Sequence, residues 1–311
     1  MTEFRCIGAG CCGTVWTSPS EPSTAYKRED GPQRRSILND FTMHKHLQIV
    51  LDSTQLPHRF RIPECHRLIS SSDPWWDANS HRFPAGCIPS SAIQAQRIPP
   101  MSQPVRDMLV DRYCAAPLRD EIKRSWENLD CLIRPYLGRR RFLNADGRPR
   151  AKIFFSLRNL PLHLDQMEEL GESLDDIKIY AETMAEALAV MHWRTGIDGN
   201  DVEFVLASPP SHGESVVTNV LGAHAVWVLD FDLCRAMPMN EQGVQQTVTA
   251  FYRNDPYFPR LRSSPLLWEV FREQSLRCSE MGNAAEIDRR VLHSGLFVRA
   301  IEEREATRES Y

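Results

Sequence analysis

The sequence Gly8-Ala-Gly-Cys-Cys-Gly-Thr-Val15 places three glycines between two short β-like segments near the start of the chain. Glycines let backbone amides approach a phosphate closely, and the spacing G-x-G-x-x-G-x-V is typical of loops that hold phosphate groups. A plain hairpin turn explains the same residues equally well. Lys27 follows twelve residues after Val15, in the segment Ala25-Tyr26-Lys27. The glycines and this lysine together are harder to explain by chance than either feature is alone.

The pattern of the remaining chain predicts an α+β fold in two parts. Residues 1–28 contain short β-like segments, and residues 33–51 have the approximate apolar face of a helix. Pro99-Pro100 punctuates the chain like a connector. We therefore expect a small N-terminal lobe with an antiparallel sheet over residues 1–100. A larger, mostly helical lobe then covers residues 101–311, and it carries the acidic loop and the Asp-Phe-Asp segment described below.

Two local patterns predict elements of the larger lobe. Ser173-Leu-Asp-Asp176 fits the start of a helix with Ser173 as its cap, and apolar residues then recur at helical spacing through Met191. The apolar segments 204–207 and 226–232 are expected to form a pair of β-strands.

Composition and charge limit the class of protein. The 311 residues are 42% hydrophobic and 25% charged, which is ordinary for a globular chain, and the net charge of −4 argues against a DNA-binding protein. No apolar run approaches the roughly 20 residues of a membrane span, and the N-terminus does not resemble a signal peptide. The nine cysteines form no C-x-x-C pair, so no zinc site is predicted. We expect a cytoplasmic protein with reduced thiols.

Three carboxylates lie close together in Gly196-Ile-Asp-Gly-Asn-Asp-Val-Glu-Phe-Val-Leu206. Asp198, Asp201 and Glu203 repel one another, and a cation, a proton or water must relieve them. Asp198 and Asp201 alternatively stabilise a turn by accepting hydrogen bonds from backbone amides. Glu203 precedes an apolar strand, so we expect it to be paired or protonated near the core.

A second acidic pair follows in Val228-Leu-Asp-Phe-Asp232. Alternation along a strand projects Asp230 and Asp232 to the same side. Such a pair suits Mg²⁺ or a guanidinium held in a bidentate grip. We predict no resident metal or other cofactor, and Mg²⁺ at Asp230 and Asp232 is the alternative left open.

A basic segment extends from Arg134 to Lys152 and contains a single acid, Asp146. Because Tyr136 and Phe142 interleave with the basic residues, the segment suits single-stranded or looped RNA through phosphate pairing and base stacking. A solvated hairpin is the alternative. The residues predicted to contact RNA are Arg134, Arg139, Arg140, Arg141, Arg148, Arg150 and Lys152.

The order of these motifs resembles a protein-kinase-like fold. A glycine loop is followed by Lys27 in the position of the kinase β3 lysine, and a long helix ends in Met191-His192 before a loop of the catalytic type. Asp230 then stands in the position of the aspartate in the kinase motif D-F-G. The resemblance implies a small sheet lobe above a larger helical lobe.

Several residues depart from the kinase pattern. No H-R-D occurs; Asp198 falls near the position of its histidine and Asn200 near the usual base. Glu203 occupies the region of the metal-binding asparagine, and Asp40 is the nearest substitute for the glutamate that pairs with the lysine. Asp232 replaces the glycine of D-F-G. A scaffold altered in this way either binds no ATP or performs other chemistry.

Five segments are also similar to one fungal family, which includes the arginine-containing cyclodipeptide synthases and is sometimes labelled as zinc-finger proteins. The segments are Gln94–Pro100, Cys131–Arg140, Phe154–Asn159, Gly196–Leu206 and Leu229–Cys234. The resemblance implies an aminoacyl transferase of secondary metabolism. Such an enzyme takes arginine from arginyl-tRNA and a second amino acid from another aminoacyl-tRNA, and joins them into a cyclo(Arg-Xaa) diketopiperazine.

Residue roles follow from chemistry. The proposed catalytic carboxylates bind cationic groups or accept a proton from an ammonium; they are Asp198, Asp201 and Glu203. The proposed substrate-binding residues are Asp230, Asp232 and Lys27. Two other functions remain open: an ATP-dependent small-molecule phosphotransferase that uses Lys27, and a non-catalytic, pseudokinase-like binding module.

Overall fold

The computed structural model describes residues 3–31, 35–54, 57–141, 155–210, 216–280 and 284–307. Within these residues the strands are β1 (Arg5–Ala9), β2 (Thr14–Ser18), β3 (Glu21–Arg28), β4 (Phe60–Arg61), β5 (Cys65–Ile69), β6 (Ala92–Gln96), β7 (Ile133–Tyr136), β8 (Leu160–His163), β9 (Glu203–Ala207), β10 (Val217–Asn219) and β11 (Gly222–Leu229). The α-helices are α1 (Ile37–Ser53), α2 (Trp75–Asn79), α3 (Gln103–Tyr113), α4 (Arg119–Arg124), α5 (Leu164–Leu170), α6 (Leu174–Trp193), α7 (Glu241–Arg253), α8 (Pro265–Ser279) and α9 (Ala284–Thr307).

The N-terminal sheet has five antiparallel strands in the order β1-β2-β3-β6-β5. Side chains alternate between its faces. Tyr26 points into an aromatic cluster, where its ring meets Phe4 edge to face at 5.3 Å and stacks on Trp75 at 4.9 Å. Lys27, the next residue, consequently projects from the opposite face.

A second, mixed sheet lies in the C-terminal part. Its strands follow the order β10-β11-β9-β7-β8, and β4 pairs in parallel with β11. The antiparallel pair β9 and β11 confirms the predicted β-pair, and its register sets Glu203 opposite Leu229. The acidic loop before β9 and the Asp-Phe-Asp segment after β11 therefore meet at one end of this strand pair.

The predicted helix start at Ser173 is confirmed. The Ser173 hydroxyl accepts a hydrogen bond from the Asp176 amide, and Asp176 accepts one from the Ser173 amide, which forms a capping box at the start of α6. α6 is buried along most of its length and packs mainly against α8. Its last turn carries the buried His192, which leads into the acidic loop.

The predicted α+β class is confirmed: an N-terminal antiparallel sheet precedes a region rich in helices. The second sheet makes that region less purely helical than expected. All nine cysteines are free thiols, and six of them are buried. In the part of the chain that the structure describes, no helix is both long and apolar enough to cross a membrane.

Candidate functional site

Lys27 joins three parts of the chain: β3, α1 and the segment after β11. Its Nζ donates a hydrogen bond to Asp230 Oδ1 at 2.7 Å and another to Asp40 Oδ2 on α1. Burial by itself lowers the pKa of Lys27, but the carboxylates of Asp40 and Asp230 raise that pKa well above its ordinary value. The ammonium is therefore charged at neutral pH, and it holds together two carboxylates that would otherwise repel each other.

The first turn of α1 fixes the backbone that follows Asp230. Asp40 Oδ1 accepts a hydrogen bond from the Phe231 amide at 3.1 Å. The Asn39 side-chain amide donates to three carbonyl oxygens between Phe231 and Cys234, at 2.9 to 3.3 Å. The position of α1 and the path of this segment are consequently coupled.

Arg35 lies on a second pair of carboxylates. Its Nη1 donates to Asp201 Oδ2 at 2.6 Å and to the two carboxylate oxygens of Asp232 at 2.9 and 3.1 Å. Asp232 is fully buried, whereas the Asp201 side chain is 44% exposed. Burial, followed by repulsion from Asp230, raises the pKa of Asp232. We call Asp201 and Asp232 the guanidinium niche, because a guanidinium fills it.

The Asp-Phe-Asp segment is not an extended strand, contrary to the prediction. β11 ends at Leu229, and Asp230 has a left-handed φ of +69°. The two carboxylates still lie near each other, but each contacts its own cation: Lys27 at Asp230 and Arg35 at Asp232. A Mg²⁺ ion at this pair would have to displace one of those cations, so the carboxylates do not form a ready-made magnesium site.

Asp198 shapes the acidic turn. Its buried carboxylate accepts hydrogen bonds from the amides of Asn200 at 3.1 Å and Arg235 at 2.9 Å, and from Gln246 Nε2 at 2.8 Å. These bonds fit the turn interpretation of this residue. His192 Nε2 lies 3.1 Å from the Asp198 carbonyl oxygen, and this contact also stabilises the turn.

Asn254, just after α7, clamps the other side of the turn. Its Oδ1 accepts a hydrogen bond from the Asp201 amide at 2.6 Å, and its Nδ2 donates to the Gly199 carbonyl at 2.9 Å. Asp201 has a left-handed φ of +63°, which is unusual for a residue with a side chain. The clamp holds this conformation and directs the carboxylate toward Arg35.

Glu203 forms an ion pair with Arg134 of β7. Arg134 Nη2 donates to both oxygens of Glu203 at 2.6 Å each. Burial raises the pKa of Glu203, although Arg134 opposes that effect. Of the two alternatives predicted for Glu203, paired or protonated near the core, the structure shows pairing, and the partner is an arginine that the sequence analysis predicts to contact RNA.

The described arginines of the basic segment are paired with carboxylates. Arg139 contacts Asp255. Arg140 contacts Glu168 at 2.6 Å, and Arg141 contacts Asp165 at 2.6 Å. These pairs neutralise part of the local charge. The remaining predicted RNA-contacting residues lie outside the described part of the chain; they are Arg148, Arg150 and Lys152.

The glycine loop is a tight hairpin turn. The Gly10 amide donates to the Gly13 carbonyl at 2.8 Å. Gly13 has a φ of +153°, and a Cβ there would lie 1.8 Å from the Arg28 carbonyl oxygen. Close packing on β3 therefore explains Gly13 without a phosphate, which leaves the hairpin interpretation well supported.

Cys234 and Ser156 are a thiol and a hydroxyl in or near the segments described above, and both have structural surroundings. Cys234 is fully buried, and burial raises the pKa of its thiol well above the ordinary value. Ser156 Oγ lies 3.4 Å from Asn128 Oδ1 and accepts from the Arg158 amide at 3.1 Å. Neither has a neighbouring base among these contacts.

Sequence reasoning missed Arg35, Asn39 and Asn254. Each acts on a segment far away in the chain, and Arg35 lies 197 residues from Asp232. Their positions carried one signal: Arg35 directly precedes Ser36, the N-cap of α1, and Asn39 lies in the first turn of that helix. Asn254 carried no comparable signal.

Comparison with known proteins gives one family result. Residues 226–285 match the family DUF3669, whose description is "Zinc finger protein". No curated protein and no solved structure matches this chain. The matched segment begins in β11, includes Asp230 and Asp232, and continues past α8.

The expected membership in the arginine-containing cyclodipeptide synthase family is therefore wrong, because the match is to DUF3669 under a different description. The matched segment contains two cysteines, Cys234 and Cys278, and no histidine. Within the described ranges, no group of three or more His, Cys, Asp and Glu is arranged to hold a metal ion. The match covers less than half of the 311 residues, so what the chain shows is similarity to this family over residues 226–285.

Proposed function

We propose that this chain is an aminoacyl transferase that takes arginine and a second amino acid from two aminoacyl-tRNAs and condenses them into a cyclo(Arg-Xaa) diketopiperazine. The observation that carries the proposal is the guanidinium of Arg35 in the niche formed by Asp201 and Asp232. Two carboxylates 2.6 to 3.1 Å from one guanidinium nitrogen, Nη1, give the niche the negative charge and the acceptors for the arginine side chain of a substrate. In this proposal the substrate displaces Arg35.

We propose a kinase-like scaffold, supported by the strand order β1-β2-β3-β6-β5 and by the pair between Lys27 of β3 and Asp40 of the following helix. Glu203 is the first residue of β9, and Asp198 lies five residues before it. The aspartate and asparagine of the kinase motif D-x-x-x-x-N have the same spacing, with glutamate here in place of asparagine. This register favours Asp198, rather than Asn200, in the position of the kinase base.

The proposed chemistry suits a site without phosphoryl-transfer parts. An aminoacyl ester is already activated, so the reaction requires no ATP. Each free amine attacks the carbonyl carbon of the other ester; the ester C–O bond breaks, and the ribose oxygen leaves with a proton. The attacking ammonium must first lose a proton, and we assign that proton to Glu203, because burial raises the pKa of its carboxyl.

Arginines of the basic segment make the proposed contacts with tRNA. Arg139 to Arg141 contact Asp255, Glu168, Asp165 and Glu169. The side chains in the pairs of Arg139 and Arg140 are 37 to 49% exposed, and exposed ion pairs are weak, so tRNA phosphates can compete for these two arginines. Such contacts predict binding that weakens as salt concentration rises.

The proposal is tested by incubating the purified chain with charged tRNAs and following products by mass spectrometry, with and without RNase. We expect a diketopiperazine that contains arginine and disappears with RNase. Asp232→Asn should abolish it. Asp175→Asn, at a side chain that is 88% exposed, is the matched control and should leave it unchanged. Absence of any diketopiperazine sinks the proposal.

An ATP-dependent phosphotransferase is the second candidate, and one observation favours it. Lys27 contacts both Asp40 and Asp230, as a kinase lysine contacts its helix partner and lies near the metal-binding aspartate. In that case ATP with Mg²⁺ should raise the melting temperature of the wild type but not of Lys27→Met. A non-catalytic binding module would instead bind tRNA or a protein partner and form no product with either cosubstrate.

A further inference from the structure

A cavity of about 300 Å³ that is widely open to solvent lies beside the acidic turn, along one face of α7. Gln242, Gln246, Thr249 and Arg253 line it at spacings of three or four residues, which places them on one face of the helix. Asp198 lines the cavity from the acidic turn. The cavity therefore carries one negative group, one positive group and several carboxamide or hydroxyl groups, a lining that suits a polar ligand with a charge at each end.

Counted over the described ranges of the chain, the contacts of Asp198 leave room for one more donor. Only 5% of this residue is exposed, and its carboxylate accepts three hydrogen bonds, from two backbone amides and from Gln246. An ionised carboxylate offers about four acceptor positions. The remaining position, in a nearly buried group that lines a cavity, is suited to the ammonium of a ligand.

The spacing of Gln246 and Arg253 along α7 is the basis for the length of the ligand. Gln246, which holds Asp198, and Arg253 are seven residues apart, or about 10 Å along the helix axis. The long side chain of Arg253 is expected to lean back toward the preceding turn, which shortens this gap. In a single α-amino acid, the ammonium and carboxylate flank one carbon and do not reach both residues. An extended dipeptide spans about 7 Å.

We propose that this cavity binds a linear dipeptide with free termini. Its ammonium donates to Asp198, and its carboxylate pairs with Arg253. Gln242 and Thr249 supply hydrogen bonds to the peptide group and to polar side chains. The site uses the cavity along α7 and does not depend on the proposed condensation, so the two proposals stand or fall separately.

Titration calorimetry of the full chain with L-alanyl-L-glutamine tests this inference. We expect saturable binding that weakens by about tenfold or more when the peptide is N-acetylated or when its carboxylate is amidated. Free glutamine should bind at least tenfold more weakly than the dipeptide. Arg253→Met should weaken binding of the free dipeptide to the level of the amidated one, without affecting the amidated one further.

Arg272→Met is the matched control, since Arg272 is on α8 and pairs with Glu302. It should leave the affinity unchanged. The inference is overturned if alanyl-glutamine shows no saturable binding, if the blocked peptides or free glutamine bind as tightly as the free dipeptide, or if Arg253→Met has no effect.

Discussion

Arg35 and Asp232 form a close ion pair across 197 residues of sequence: Nη1 of the arginine lies 2.9 and 3.1 Å from the two oxygens of the carboxylate. Because Asp232 is fully buried, its negative charge is stabilised by the neighbouring guanidinium of Arg35 and not by water. The same guanidinium also lies 2.6 Å from Asp201. The chain thus fills its own niche with the chemical group that we propose for the substrate.

Removal of Arg35 should be rescued by a small guanidinium. Arg35→Ala leaves Asp232 without its cation, and loss of one member of a buried pair costs about 3 kcal/mol of unfolding free energy. Methylguanidinium should then raise the melting temperature of Arg35→Ala more than that of the wild type, whereas methylammonium at equal concentration should not. Arg67→Ala, at a side chain that is 46% exposed, is the control and should show no selective rescue. Equal responses of both variants would contradict a guanidinium niche.

Lys27 should be required for stability mainly through the carboxylates that it holds. Lys27→Met leaves Asp40 and Asp230 facing each other in a largely buried site, and we expect a loss of about 3 kcal/mol in urea denaturation. The double variant Lys27→Met/Asp40→Asn should recover part of that loss, because one of the two charges has gone. Additive losses in the double variant would show that Lys27 does not balance Asp40.

Asn254 should control the acidic turn. This buried side chain contacts the turn at the Asp201 amide and the Gly199 carbonyl, so Asn254→Ala leaves both without that partner. We expect a loss of about 2 kcal/mol of stability. Hydrogen exchange should be faster at the Asp201 amide than the loss of global stability alone explains. For amides in the middle of α6, the exchange rate should change only as much as the global stability requires. Unchanged protection at Asp201 would exclude the clamp.

Glu172 should give the chain a pH-dependent stability. Burial raises the pKa of Glu172 from 4.5 to about 7. Asn219 and Tyr180 are its neighbours, and Oε1 has no hydrogen-bond partner among the residues that the structure describes. The folded state therefore holds this proton more tightly than the unfolded state. Its stabilising contribution is fully present below pH 4.5 and is lost as pH rises through about 7.

Glu172→Gln isolates that contribution. Between pH 4.5 and 7.5 the difference in unfolding free energy between wild type and variant should change by about 3 kcal/mol, with the wild type losing stability as pH rises. Buried His224, whose pKa burial lowers, contributes in the opposite direction and is common to both proteins. Glu182→Gln on α6 is the control. A wild type and variant with parallel pH profiles would refute the raised pKa.

Local patterns in the sequence predicted the elements that frame the site. The Ser173 capping signal and the apolar spacing after it predict α6, and the apolar segments beside Glu203 and Asp230 predict the pair β9 and β11; both are confirmed. These elements could be predicted because caps and hydrophobic periodicity depend on residues that are close together in the sequence.

Pairing between distant charges was beyond the reach of sequence patterns. The segment from Arg134 to Lys152 contains a single acid, yet Asp255, Glu168 and Asp165 meet its arginines in the fold. In the same way, nothing near Glu203 indicates Arg134. The alternation that put Asp230 and Asp232 on one side of a strand failed because the strand ends at Leu229.

The measurement that tests the central claim most directly uses arginyl-tRNA charged with ¹³C-labelled arginine, together with a mixture of unlabelled aminoacyl-tRNAs. The account predicts a diketopiperazine whose mass carries the full arginine label, which is formed by the wild type and by Asp175→Asn but not by Asp232→Asn. If the wild type forms no labelled diketopiperazine, or if Asp232→Asn forms it as fast as the wild type, the account is contradicted.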